Sequence, residues 1–269
     1  MHDNFTIQDI FIYPIKSLGG IRLAEAKVEE RGFQFDRRWM LVDQKGIFLT
    51  QRTHSRMALL QVELGEMGLI VFDKRSQDDE IQISYDLLSD QEIEVEIWDD
   101  RVIANFVDQS LDTWFSEKLG FVCHLVRMPE STHRKVSPKY AVNGESVSFS
   151  DGMPYLILGQ ESLNDLNSRL EKPVPMDRFR PNIVFSGGQA YAEDSWKKVR
   201  IGSVEFQVVK PCARCVLTTI DQETGFKGKE PLKTLAGYRT ISNKVYFAQN
   251  MVALESGIVR IGDQIILEP

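Results

Sequence analysis

Cysteine is scarce in this chain: Cys123, Cys212 and Cys215 are the only three among 269 residues. An odd number excludes a fully paired disulfide framework. Three thiols also cannot build a four-cysteine iron–sulfur cluster or an all-thiolate zinc site within one chain. No uninterrupted apolar run approaches the ~18 residues that a membrane-spanning helix needs. The start, Met1-His2-Asp3-Asn4, lacks the basic flank and apolar core of a secretion signal. No G-x-G-x-x-G run occurs: Gly19-Gly20, Gly187-Gly188 and Gly225-Phe226-Lys227-Gly228 all fail the spacing, which argues against a resident dinucleotide site. Positive charge is also in deficit. With 32 Lys and Arg against 39 Asp and Glu, the formal charge of −7 poorly suits nucleic-acid binding by phosphate neutralisation. The expectation is a cytoplasmic protein with no nucleic-acid partner and no membrane association. Electrons for any redox chemistry would come from another molecule.

What is present reads as a folded chain, with 42% hydrophobic and 26% charged residues. Its first half reads mainly as strands: 5–13, closed by Pro14; 39–43 and 47–50 around a turn at Gly46; 59–64, 69–72, 81–85 and 93–98. A helix follows, capped by Ser110, with Leu111, Trp114, Phe115 and Leu119 on one face and Gly120 at its end. Residues 127–143 read as a loop or a crossing. Beyond them come a strand at 155–158, a helix at 162–170, and strands at 182–185, 199–201, 204–209, 216–220 and 264–267. Trp98, Trp114 and Trp196 read as core. The fold class is mostly β with a few helices (α+β), and strands at roughly 10-residue spacing point to a barrel or sandwich.

The sharpest local feature is Val209-Lys210-Pro211-Cys212-Ala213-Arg214-Cys215. A redox pair would want a helix N-terminus after it, and Val216-Leu217-Thr218-Thr219-Ile220 favours a strand. A zinc half-site would need two further ligands, such as Cys123 and His124 by long-range convergence. A single thiolate could instead ligate a soft metal centre, with Arg214 gripping an anionic cofactor. The bland alternative is that both thiols are small buried hydrophobes.

Three other stretches gather cations. Tyr13-Pro14-Ile15-Lys16-Ser17-Leu18-Gly19-Gly20 can cradle a phosphate with backbone N–H groups and a lysine, or be an ordinary strand exit. In Phe35-Asp36-Arg37-Arg38-Trp39, Asp36 can orient one arginine while the other faces a ligand; a solvated ion pair is the alternative. In Met176-Asp177-Arg178-Phe179-Arg180-Pro181-Asn182, an extended backbone would put Arg178 and Arg180 on one face, as an anion site or a charged edge. Histidines 2, 54, 124 and 133 form no hydrolase constellation, and His124 reads as a packed residue.

Five motifs, in this order, resemble the two-part MOSC proteins: Tyr13-Pro14-Ile15-Lys16-Ser17, Asp36-Arg37-Arg38-Trp39, Phe179-Arg180-Pro181-Asn182, Tyr191-Ala192-Glu193-Asp194-Ser195-Trp196, and Cys212-Ala213-Arg214-Cys215 with Thr218-Thr219-Ile220-Asp221. The resemblance spans about residues 5–267 and is closest to the mitochondrial amidoxime-reducing components and bacterial reductases of N-hydroxylated bases. It implies an N-terminal MOSC β-barrel-like domain over 1–122 and a β-barrel-like MOSC domain over 123–269.

By that resemblance Cys215 ligates molybdenum in the pterin cofactor, with Ala213 and Arg214 beside it. Lys16, Ser17 and Arg37 contact the cofactor from the first half, and Arg180 and Asn182 from the second. Asp151, Gly152 and Met153 match a cofactor-lining loop, although Gly152 and Met153 stand where the family carries hydroxyl residues. Asn250 is a further candidate. The implied activity is molybdenum-cofactor-dependent reduction of N-hydroxylated compounds such as hydroxylamino-purines and amidoximes. Some bacterial relatives append a ferredoxin-like domain; this chain lacks the thiols for one. A separate donor is therefore expected: a ferredoxin, a flavoprotein or a cytochrome b5-like protein. The rival is a cofactor carrier or sulfur-transfer protein, since MOSC domains are also fused to cofactor sulfurases. The resemblance also associates the family with pyridoxal phosphate binding.

Overall fold

The computed structural model describes residues 4–268, so His2 lies outside the described residues. Seven strands close into a barrel in the order Phe5–Ile12, Gln264–Glu268, Lys198–Ile201, Val204–Ala213, Lys244–Ala253, Tyr155–Gly159 and Ile183–Ser186, the last pairing back to the first. Neighbours are antiparallel except Tyr155–Gly159 with Ile183–Ser186. Between these two strands the chain runs through the helix Gln160–Ser168, the crossover that a parallel pair requires. Closure leaves no free edge around the barrel.

The interior is filled by apolar staves. Phe5 and Ile7 are buried, and then Ile10 and Ile12, because the register against Ile183–Ser186 shifts between Ile7 and Asp9. A β-bulge there moves inward positions from odd to even numbers. Phe206, Phe185, Val199, Ile157 and Met251 complete this core. Burying each such side chain contributes roughly 1.5–3 kcal/mol.

A second β body packs beside it. The strands Trp39–Val42, His124–Arg127, Asp100–Phe106 and Glu92–Ile97 form one sheet, and Leu60–Leu64, Gly68–Asp73 and Ser76–Ser84 a three-stranded meander. Against these lies the helix Gln109–Leu119, with Leu111, Phe115 and Leu119 inward beside Met57, Leu60 and Leu125.

The mostly-β reading with few helices holds, and several local expectations need correction. Residues 216–220 are no strand; Val216–Thr219 is a 3-10 turn. Thr218 Oγ1 donates to the Cys215 carbonyl at 3.0 Å, and Thr219 Oγ1 to that of Val216 at 2.7 Å. These hydroxyls give the backbone a local partner in place of a ladder. Asp108, rather than Ser110, caps the first helix by accepting from the Ser110 N–H. The strand expected at 47–50 reduces to single bridges, Val42 to Phe48 and Ile47 to Glu96. Trp98 is 46% exposed at a hairpin tip, not core. The ten-residue stave Lys244–Ala253 carried no clear sequence signal.

Candidate functional site

The segments singled out by sequence converge where the two β bodies meet. At the end of the first stave, Tyr13 to Leu18 crosses to the second body: Lys16 N–H donates to the Trp39 carbonyl at 2.9 Å and Trp39 N–H to that of Pro14 at 3.1 Å. Arg37 N–H donates to the Tyr13 carbonyl at 2.9 Å, joining the first two cationic motifs. The stave Val204–Ala213 shifts register twice, between Val208 and Lys210 and between Pro211 and Ala213. Such bulges re-aim a strand end. Here they deliver Cys212 and Cys215 to the same place.

The result is a cavity of about 140 Å³ whose wall includes all twelve candidate residues. Lys16, Ser17 and Arg37 come from the first half of the chain, and Asp151, Gly152 and Met153 from the loop before Tyr155–Gly159. Arg180 and Asn182 precede Ile183–Ser186, Ala213, Arg214 and Cys215 follow the bulged stave, and Asn250 lies on its neighbour.

Ser17, Arg37 and Arg180 have φ of 68°, 50° and 53°, in the left-handed region that non-glycine residues avoid. Such backbone persists only where its surroundings over-determine it, and it concentrates at functional sites. Arg178 and Arg180 do not share a face. The chain there is a 3-10 turn followed by left-handed backbone, so Arg178 turns to Asp221 Oδ2 at 3.0 Å while Arg180 lines the cavity.

Each cation is held by the protein itself. Lys16 Nζ donates to the Phe149 carbonyl and to Asp151 Oδ1, both at 2.7 Å. Burial lowers its ionisation to about 8, against the opposing pull of Asp151. Burial opposes charge on Asp151 as well, but Lys16 and Arg52 together hold its carboxyl well below the usual carboxylate range. The Arg37 and Arg180 guanidinium carbons lie 4.4 and 4.1 Å from the Tyr13 ring centroid. Arg37 is oriented by fully buried Asp36 and by Asn182 Oδ1 at 3.2 Å. Arg180 donates from Nη1 to the Leu18 carbonyl at 2.8 Å; burial lowers its ionisation to about 10, so it stays charged at neutral pH. Arg214 donates to Cys212 Sγ at 3.0 Å and to the Phe179 carbonyl at 2.7 Å.

Two guanidinium nitrogens of this wall, Arg180 Nη2 and Arg214 Nε, are buried without a hydrogen-bond partner. With five cationic side chains against one carboxylate on the wall, the site is built for an anionic group in a chain of net charge −7.

Sequence reasoning missed Arg52 and Trp98. Arg52 Nε donates to Cys215 Sγ at 3.2 Å, and its Nη2 pairs with Asp151. Despite burial, those two partners raise its ionisation. Trp98 lies under that guanidinium at 4.9 Å and donates to Asp151 Oδ1 at 3.3 Å. Neither residue sits in a cationic run or a recognisable motif, and only folding brings them here.

Of the other thiols, Cys212 shares this wall and Cys123 lies elsewhere. Cys123 is buried in the second body and bonded to Ser116, and burial pushes its thiol up to about 11. His124 Nδ1 is 2.7 Å from Asp112 Oδ2. Cys212 is half-buried and packs against Phe179 and its apolar neighbours, with its sulfur accepting from Arg214. The helix that would activate a redox pair is absent after Cys215, where only the four-residue 3-10 turn follows. Among the described residues no cluster of three or more His, Cys, Asp or Glu could hold a metal. The soft donors on the wall are the sulfurs of Cys212 and Cys215.

The fold and site together define a two-body β protein with a cation-lined cleft and two thiols, Cys212 and Cys215, on its wall. The chain belongs to the MOSC family: residues 4–121 match the MOSC N-terminal beta barrel domain and residues 144–266 the MOSC domain. It is 34% identical to mouse mitochondrial amidoxime-reducing component 1 over 97% of this chain and 82% of that protein. With human mitochondrial amidoxime reducing component 2 it shares 31% over 98% and 82%. It is also 34% identical to a rice molybdenum cofactor sulfurase over 90% of this chain, spanning about a third (32%) of that protein's length. No helix among the described residues is long and apolar enough to cross a membrane.

Proposed function

We propose that this protein is a molybdenum-cofactor-dependent reductase of N-hydroxylated compounds, hydroxylamino-purines and amidoximes among them, fed by a separate ferredoxin, flavoprotein or cytochrome b5-like donor. The observation that carries the reading is Cys215, a half-buried thiol on the wall of a cavity that five cations also line. The names of the amidoxime-reducing relatives, at matching length, support the reaction class.

The residues present suit such a group. The Cys215 thiolate is a soft donor for molybdenum. Lys16, Arg37, Arg180 and Arg214 would neutralise a terminal phosphate, the two unpartnered guanidinium nitrogens supplying free donors. Ser17 adds a hydroxyl, and Asp151, Gly152 and Met153 line the same cavity. Ala213, beside the arginine, leaves room, while Asn182 holds Arg37 in place and Asn250 ties the neighbouring stave to the Lys210 carbonyl. When bound, the group supplies a two-electron centre for cleaving an N–O bond. The overall change consumes two electrons and two protons, turning the N–OH compound into the N–H compound and water.

The test is elemental analysis of protein from a host that makes the cofactor, followed by reduction of a hydroxylamino-purine and an amidoxime with a chemical donor. Stoichiometric molybdenum and the amine and amidine products are expected, and Cys215→Ala should lose both metal and activity while still folding. Molybdenum-free wild-type protein, or full retention of both properties in the variant, refutes the assignment. Bound cofactor with no reduction by any donor would favour a carrier or sulfur-transfer role, in keeping with the sulfurase relatives.

A further inference from the structure

Among the described residues, Arg52 is the cation of the wall that touches the Cys215 sulfur, with its Nε 3.2 Å from Sγ. The same guanidinium pairs with Asp151 through Nη2 and lies over the Trp98 indole, whose N–H also donates to Asp151. Trp98 is held in left-handed backbone, φ 56°, at the exposed tip between Glu92–Ile97 and Asp100–Phe106.

The backbone under Arg52 is fixed. Fully buried Gln51 donates to the Ser17 carbonyl at 2.8 Å and to Gln222 Oε1 at 3.0 Å. His54 N–H donates to the Thr50 carbonyl at 2.9 Å, and Lys227 Nζ to that of Arg52 at 3.3 Å. The Arg52 side chain is therefore presented to the sulfur from a tied-down backbone.

We propose that Arg52 is a protective cap on Cys215. Its guanidinium lies on the sulfur and limits the access of small reagents to it, anchored by Asp151 and Trp98. The proposal rests on Cys215 being the metal ligand, whose reactivity is then worth restraining. A thiolate sulfur carries more than one lone pair, so the N–H contact covers one side of it and leaves another to serve a metal. The planar fork makes the three contacts together: Nε on the sulfur, Nη2 on the carboxylate and the plane over the indole. The guanidinium thereby covers a half-exposed thiol that oxidants would otherwise reach.

The experiment is alkylation of cofactor-free full-length protein with iodoacetamide, read at Cys215 by peptide mass spectrometry. It is run at a pH high enough that the rate no longer rises, so that access alone is compared. Arg52→Ala should react about tenfold faster than wild type, the size of one lost charge-assisted contact. Arg52→Lys, which keeps the charge but cannot span sulfur, carboxylate and indole, should fall between. Equal plateau rates in wild type and Arg52→Ala, with unchanged circular dichroism, overturn the cap. Should Arg52→Ala fail to fold, Arg52→Lys carries the comparison, and a wild-type rate in it overturns the cap equally. The metal reading fails separately: a wild type that takes up no molybdenum sinks the ligand assignment whatever the alkylation rates show.

Discussion

Lys16 is charged at neutral pH but sits close to losing that charge. Burial lowers its ionisation to about 8, while Asp151 beside it stays ionised far into acid. Below that value the lysine is cationic and above it neutral, so anion binding by the cofactor-free protein should weaken as pH rises from about 7 to 9. Sulfate, which does not titrate in this window, is the suitable probe, and calorimetry should show the loss. Lys16→Arg should abolish the step, because arginine keeps its proton. Stability runs the other way. Between about 8 and the ordinary lysine value of 10.5 the unfolded chain binds the proton that folded Lys16 has released, so this group makes stability rise with pH there.

At the scale of single elements, the helix Gln109–Leu119 shows how a short-range rule picks the right segment and the wrong atom. Its apolar face and its end at Gly120, φ 81°, follow from spacing and from glycine's tolerance of left-handed backbone. The cap does not follow, because Asp108 and Ser110 both suit the role and only the backbone direction entering the helix chooses. Asp108→Ala should cost about 1 kcal/mol of stability in a denaturant melt, and Ser110→Ala far less. Equal losses from the two would show that the cap is shared. The turn Val216–Thr219 is the opposite case. β-branched residues favour a strand, and two threonine hydroxyls bonded to backbone carbonyls override that preference. The wall segment after Cys215 is consequently compact, and the thiol stays at the rim of the cavity.

Across the whole molecule the two halves are interlaced. Divided at 122/123, as we propose, each part holds a strand that pairs within the other. Phe5–Ile12 is a stave between Gln264–Glu268 and Ile183–Ser186, and His124–Arg127 lies between Trp39–Val42 and Asp100–Phe106. A fragment of residues 123–269 lacks one barrel stave and exposes two strand edges, so it should show no cooperative thermal transition where the full chain shows one. A sharp melt from that fragment would mean that the barrel closes without Phe5–Ile12.

The sequence by itself determined what is local or composed of a contiguous run. It set the strand-rich class through period-two patterning, the first and second helices through their apolar faces, and the cationic and thiol candidates through short motifs, while Asp151, Gly152, Met153 and Asn250 came from the family resemblance alone. Lys16, Arg37, Arg180 and Cys215 were each visible as part of such a run. Tertiary structure alone decided that they share one wall, since that depends on barrel closure and on bulges that move strand ends by a residue. It alone brought in Arg52 and Trp98, whose chemistry exists only as contacts with groups 99, 53 and 163 positions away in the chain. Spacing along a chain encodes which face a side chain takes, but not which distant face it will meet.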